Sequence, residues 1–131
     1  AVARMYNEEA AKYNATMATG FALLSIDREN GSPSTTLGPK MGMEATSLTR
    51  TLKSMEERGL ITRKKNPTDG RGVIIQLTKE GKEKRELSKE TVLRFNETVK
   101  QHISEEKLQH FMEVAEIINE LITDKKIYND K

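Results

Sequence analysis

Residues 59–78 carry two short runs of β-forming residues around a basic, turn-rich tip, directly after an amphipathic helix. Gly59 can end that helix in a left-handed conformation at no Cβ cost, and Leu60, Ile61, Val73, Ile74, Ile75 and Leu77 suit a paired, half-buried strand surface. Between the runs, Asn66-Pro67 and Asp69-Gly70 supply turn chemistry, so the ribbon reverses there. The tip bears Arg63, Lys64, Lys65 and Arg71 against one acid, Asp69. A hairpin held out from the body with that charge is suited to phosphates or a minor groove.

The preceding helix is expected over about Glu44 to Arg58. Ala45, Leu48, Leu52 and Met55 recur at three- and four-residue spacing and should face a core. Thr46, Ser47, Thr49, Arg50 and Lys53 then fall on the other side, small hydroxyls and long cations with no bulky apolar residue among them. Gly42 marks the turn from a shorter third helix, in which Ser32 caps the start, Pro33 occupies the first turn and Met41 the end. Two helices joined by a tight turn, the second polar and basic outside, form a helix-turn-helix. The hairpin adds a wing, so the expected fold is mainly α with a small β-hairpin, a winged helix-turn-helix.

Charge distribution supports this order better than net charge, which is only +2 over 131 residues. Residues 43–72 hold seven cations against four acids, whereas residues 1–30 and 73–131 are each acidic by one. The plain alternative for such a middle is a solvated surface. The chain has no cysteine, which excludes disulfides, thiolate metal sites and thiol redox sensing within it and suits a reducing, cytoplasmic setting. No apolar run is long enough to cross a bilayer. No nucleophile grouping with a histidine and an acid, no glycine-rich phosphate loop and no paired acids in an apolar setting occur, so an enzyme is not expected. His102 and His110, near Glu105 and Glu106, fall short of a zinc ligand set, and neither metal nor cofactor is expected.

The flanks are helical. Residues 1–13 read as the remainder of a longer first helix. A second, from Met17 to about Asp27, is capped by Asn14 or Thr16 and carries Phe21, Leu24 and Leu23 as its apolar stripe. After the hairpin, Thr78 to about Ile103 bears Val92, Phe95, Val99 and Ile103. Ser104 then opens a last helix with Leu108, Phe111, Met112, Ala115, Ile118, Leu121 and Ile122. These seams are wider than a small head can cover, which points to burial in a second copy or against the chain's own first helix. The expected divisions are 1–16, an N-terminal dimerisation helix, 17–81, the winged helix-turn-helix, and 82–131, the C-terminal dimerisation helices.

From Phe21 to Gly81 the sequence resembles the MarR family of bacterial winged-helix transcriptional regulators. The resemblance is carried by Ser47-Leu48-Thr49-Arg50, by Met55-Glu56-Glu57-Arg58-Gly59-Leu60-Ile61-Thr62-Arg63, by Asn66-Pro67-Thr68-Asp69-Gly70-Arg71, and by Leu77-Thr78-Lys79-Glu80-Gly81. It implies a homodimer whose fourth helix enters the major groove while the wing reaches the adjacent minor groove or backbone. Thr46, Ser47, Thr49 and Arg50 are then the base-reading positions, Arg71 the wing arginine and Asp69 the acid that fixes the wing. The sequence departs from the family pattern at Gly70, where a second arginine is common, at Gly72 beside Arg71, and at Pro33 and Pro39 in the third helix.

Chemically, Arg50 is suited to a bidentate pair with guanine and the hydroxyls to bases or phosphates. An ion pair of Arg50 with Glu57 or Asp69 is its structural alternative. Lys40, Lys53, Lys64 and Lys65, with Arg71, are assigned to phosphates. Eight lysine contacts per dimer on a pseudo-palindromic operator give a salt slope of about −7. The resemblance further implies a repressor relieved by a small aromatic or anionic effector, for which Tyr6, Tyr13, Met17, Phe21 and Phe95 are the candidate cleft residues, although such a set is core more often than pocket. The alternative function is a winged-helix protein-interaction module without sequence-specific DNA binding.

Overall fold

The structure, a computed structural model, describes residues 1–68 and 72–128. In chain order it forms α1 (Val2–Ala11), α2 (Met17–Ser25), β1 (Ser32–Pro33), α3 (Ser34–Met41), α4 (Ala45–Glu57), β2 (Ile61–Lys65), β3 (Val73–Leu77), α5 (Lys79–His102) and α6 (Glu105–Thr123). The chain divides within α5 into two compact units, residues 1–92 and 93–131.

The core of the first unit is built by α2, α3, α4 and the sheet. Ala22, Leu23, Ile26, Leu37, Leu52, Met55, Leu60, Ile61 and Ile75 are all buried, together with Met41, Leu48 and Leu77. Each large aliphatic or thioether side chain so buried contributes about 1.5–3 kcal/mol relative to exposure, and this cluster fixes the orientation of α4. Leu48, Leu52 and Met55 face inward as their spacing predicts, whereas Ala45 is exposed. Ala45 opens the helix one turn ahead of Leu48, and its methyl does not reach the core.

The start and end signals of the helices follow capping chemistry. Thr16 Oγ1 accepts from the Thr19 amide at 3.2 Å, Ser104 Oγ accepts from the Lys107 amide at 3.2 Å, and Thr78 Oγ1 accepts from the Gly81 amide at 3.0 Å. Gly42 at φ 64° closes α3 and Gly59 at φ 75° follows the end of α4, both in the left-handed region.

Two expectations are corrected. Ser32 does not cap α3: Ser32 and Pro33 pair with Ile75 and Ile74 as β1, and Ser32 Oγ accepts from the Asp27 amide at 2.9 Å. Pro33 therefore stands at the N-cap position. On α2 Thr19, Ala22, Leu23 and Ser25 are buried, as is Ile26 at its C-cap, while Phe21 is 42% exposed. A helix can present only one stripe to this core, and 19-22-23-26 is the set with helical spacing.

The sheet has the order β1-β3-β2, antiparallel throughout. Ile61 pairs with Leu77 and Lys65 with Val73, so β2 is an edge strand. Only Ile61 of β2 is buried, and Thr62 to Lys65 are exposed. The second unit contains the last part of α5 and all of α6. On α6, Phe111 (68%), Met112, Val114, Ile117, Ile118, Leu121 and Ile122 are all exposed in the single chain. Among the described residues no helix is long and apolar enough to cross a membrane.

Candidate nucleic-acid interface

The outward side of α4 is set by the burial of its inner side. With Leu48, Leu52 and Met55 turned in, the 100° step of the helix places Thr46, Arg50 and Lys53 along one outer line, flanked by Thr49 and Ser47. All five are exposed. Thr49 donates its hydroxyl proton to the Ala45 carbonyl at 2.8 Å, which leaves that side chain an acceptor and a methyl group for an incoming surface. No hydrogen bond or ion pair holds Thr46, Ser47, Arg50 or Lys53 among the described residues. The ion pair of Arg50 with Glu57 is thus not formed; the one with Asp69 lies outside the described residues.

Strand β2 continues the positive surface. Lys64 and Lys65 are exposed and have no ion pair among the described residues, whereas Arg63 Nε lies 3.4 Å from Glu56 Oε2 and ties the strand to the end of α4. At the start of the tip, Asn66 Oδ1 accepts from the backbone amide of Thr68 at 3.0 Å and from its hydroxyl at 2.9 Å, a side-chain turn of the kind its sequence leads one to expect. Asp69 and Arg71, named from the sequence as wing residues, lie outside the described residues.

Lys40 is placed differently from the other cations. Its ammonium donates to the Ser25 carbonyl at 2.8 Å, at the end of α2, and lines a cleft on the first unit instead of extending the outer line of α4. That cleft, about 460 Å³, is walled by α1, the α1–α2 corner, α2 and the first half of α5. Tyr6, Tyr13, Met17 and Phe21 all line it, and none of the four belongs to the core cluster. Phe95 does not line it: the α5 contribution ends at Val92, nearly one turn earlier. Burial pushes the Tyr6 hydroxyl above the ordinary phenol range, so the ring enters the cleft as a neutral phenol.

Two lining cations escaped the sequence reading. Arg58, just after the last residue of α4, donates from Nη2 to the Asn14 carbonyl, and Lys84 on α5 donates to the Tyr13 carbonyl at 3.1 Å. These contacts span 44 and 71 residues of chain, and no local pattern signals them. Among the described residues no three metal-binding side chains gather, and His102 Nδ1 is 2.8 Å from the Thr98 carbonyl on its own helix.

Residues 15–73, from α2 to the first residue of β3, match the model of the MarR family. The match covers a little under half of the chain, and over that segment the chain is similar to the family. The chain is 37% identical over 70 residues to the organic hydroperoxide resistance transcriptional regulator of Bacillus subtilis, covering 53% of this chain and 48% of that protein. It is 31% identical over 78 residues to the uncharacterized HTH-type transcriptional regulator YdgJ of the same organism, covering 60% of this chain and 48% of that protein. Each of these matches spans about half the length of the relative. The fold of this chain also matches that of a mutant MarR from E. coli crystallised with operator DNA, with TM-score 0.77 at 22% identity, over 88% of this chain and 83% of that one.

Proposed function

We propose that this chain is a MarR-family, homodimeric, sequence-specific DNA-binding transcriptional regulator, a repressor that a small aromatic anion releases from its operator. The observation that carries the reading is the outer line of α4: hydroxyls and cations, exposed and uncommitted, on a helix whose other side is locked into the core. Arg50 gives guanine O6 and N7 a bidentate partner, Thr46 and Ser47 bond bases or phosphates, and Thr49 offers its methyl to thymine. Lys53, Lys64 and Lys65 neutralise phosphates and set register without reading sequence. The operator-bound relative of the same fold supports this docking. Asp69 and Arg71 keep the wing roles that the family resemblance implies.

The exposed apolar surface of α6 supports a dimer, because seven large exposed apolar side chains along one helix make a surface that monomers rarely leave in water. A two-fold dimer places two copies of α4 about one helical turn apart on a pseudo-palindrome. The cleft supports the effector: aromatic and thioether side chains give an apolar bed, and its charged lining residues are all cations. With no cysteine in these 131 residues, the trigger within this chain is a bound molecule and not a thiol. No catalytic grouping is assigned.

A gel shift with DNA from the gene's own neighbourhood tests the reading. Arg50→Ala should cost about 1–3 kcal/mol on the preferred sequence and relax sequence choice, while Lys64→Ala weakens all sequences alike. Equal loss on every sequence for Arg50→Ala removes its reading role, and no preference in the wild type favours the protein-interaction alternative.

A further inference from the structure

The three charged side chains that line the cleft, Lys40, Arg58 and Lys84, each hold a backbone carbonyl. Two of these carbonyls, of Tyr13 and Asn14, form the α1–α2 corner, where Asn14 itself adopts φ 56°. The cation on Asn14 differs from the others in its origin. Arg58 is the residue at which α4 ends, and its amide still bonds the Ser54 carbonyl of that helix. One guanidinium therefore joins the wall of the cleft to the end of the recognition helix.

A neutral carbonyl is a weak partner for a guanidinium. A carboxylate or sulfonate accepts charge-assisted bonds roughly twice as strong as neutral ones and can take the two parallel N–H groups that one carbonyl oxygen cannot. No acid lines the cleft to compete with such a ligand. We propose that Arg58 is the coupling residue of the effector response: an aromatic anion in the cleft draws its guanidinium from the Asn14 carbonyl, and this frees the end of α4 from the α1–α2 corner. The inference rests on reading the cleft as the effector site and adds how occupancy reaches α4. Lys40 and Lys84 lie on α3 and α5, so they hold the anion without moving the end of α4. Coupling is reciprocal, and DNA binding must weaken the ligand by the same factor.

The test uses 1-naphthoate as the probe, calorimetry for its binding and fluorescence anisotropy for DNA. In the wild type, saturating 1-naphthoate should lower DNA affinity by about tenfold, within the usual range of coupling. Arg58→Gln should still bind 1-naphthoate through Lys40 and Lys84, yet its DNA affinity should no longer respond to it. Arg58→Lys, which keeps one donor group, should respond partially. Hydrogen exchange at the amides of residues 13–17 reads the corner without DNA, and it should be faster in Arg58→Gln than in the wild type. If 1-naphthoate binds and lowers DNA affinity equally in both proteins, or exchange at the corner is the same in both, the coupling role is overturned while the cleft stands. If the wild type does not bind 1-naphthoate, the cleft reading falls and the inference with it. A wild type that binds 1-naphthoate but no DNA sinks the functional reading, and exchange at the corner still decides whether Arg58 holds it.

Discussion

Raising monovalent salt from about 50 to 200 mM should weaken operator binding by a factor that the structure sets. Of the four lysines assigned to phosphates from sequence, Lys40 is engaged at the Ser25 carbonyl, which leaves Lys53, Lys64 and Lys65 on the exposed surface of α4 and β2. Three per protomer make about six phosphate contacts per dimer, and a slope of log K against log salt of about −5, not the −7 that four would give. A fourfold change in salt then costs roughly a factor of 10³. Replacing Lys64 and Lys65 by glutamine removes about four of the six contacts, so the slope should fall to about −2 and the same change should cost roughly tenfold. Both residues are exposed on an edge strand, so folding should be unaffected, and circular dichroism can verify that. Anisotropy titrations of a labelled duplex at five salt concentrations give both slopes. A wild-type slope shallower than about −3, or an unchanged slope in the double variant, would refute the assignment of these lysines to phosphate.

Three other outcomes follow from single residues. Gly31 sits at φ 74°, and a Cβ there would lie 2.6 Å from the Ile75 carbonyl oxygen, so Gly31→Ala should lower stability by about 1–3 kcal/mol in urea unfolding; an unchanged midpoint contradicts the close approach of this loop to β3. Phe111→Glu with Ile118→Glu puts charge on the exposed apolar line of α6 and should convert the proposed dimer to monomers in sedimentation, whereas a dimer that persists in the variant would place the interface elsewhere. The Asp27 carboxyl is held below the ordinary carboxylate range chiefly by the Asn30 amide and then the Glu29 amide. A depressed folded-state value gives stability that is present above the unfolded value and lost as pH falls through the folded one, so Asp27→Asn should flatten the acid limb of the stability profile; an identical limb in wild type and variant counts against it.

The parts of the fold that were legible in the sequence are those where one local signal and one core agree. Leu48, Leu52 and Met55 at helical spacing, ended by Gly59 and followed by β-branched runs, specify α4 and the wing strands because burial and capping select the same register. Thr16 and Ser104 marked their helices because a side-chain oxygen at a cap has one job. Ser32 misled for the same reason turned round: its hydroxyl bonds the Asp27 amide, and the pairing of β1 with β3 is decided by residues more than forty positions away. Phe21 and Leu24 are apolar without belonging to the buried face, since α2 serves both a core and a cleft. The aromatic half of the cleft could be named from residue type. Its cationic half could not, because the reach of Arg58 to Asn14 and of Lys84 to Tyr13 exists only once the corner is folded.

The central claim, that paired copies of α4 and β2 read one duplex, is tested most directly by hydroxyl-radical footprinting on the DNA flanking this gene. The account predicts two protected half-sites related by a dyad and centred about one helical turn apart, with protection lost in the Arg50→Ala protein at concentrations that saturate the wild type. Uniform protection with no dyad, or a pattern that Arg50→Ala leaves unaltered, would contradict it.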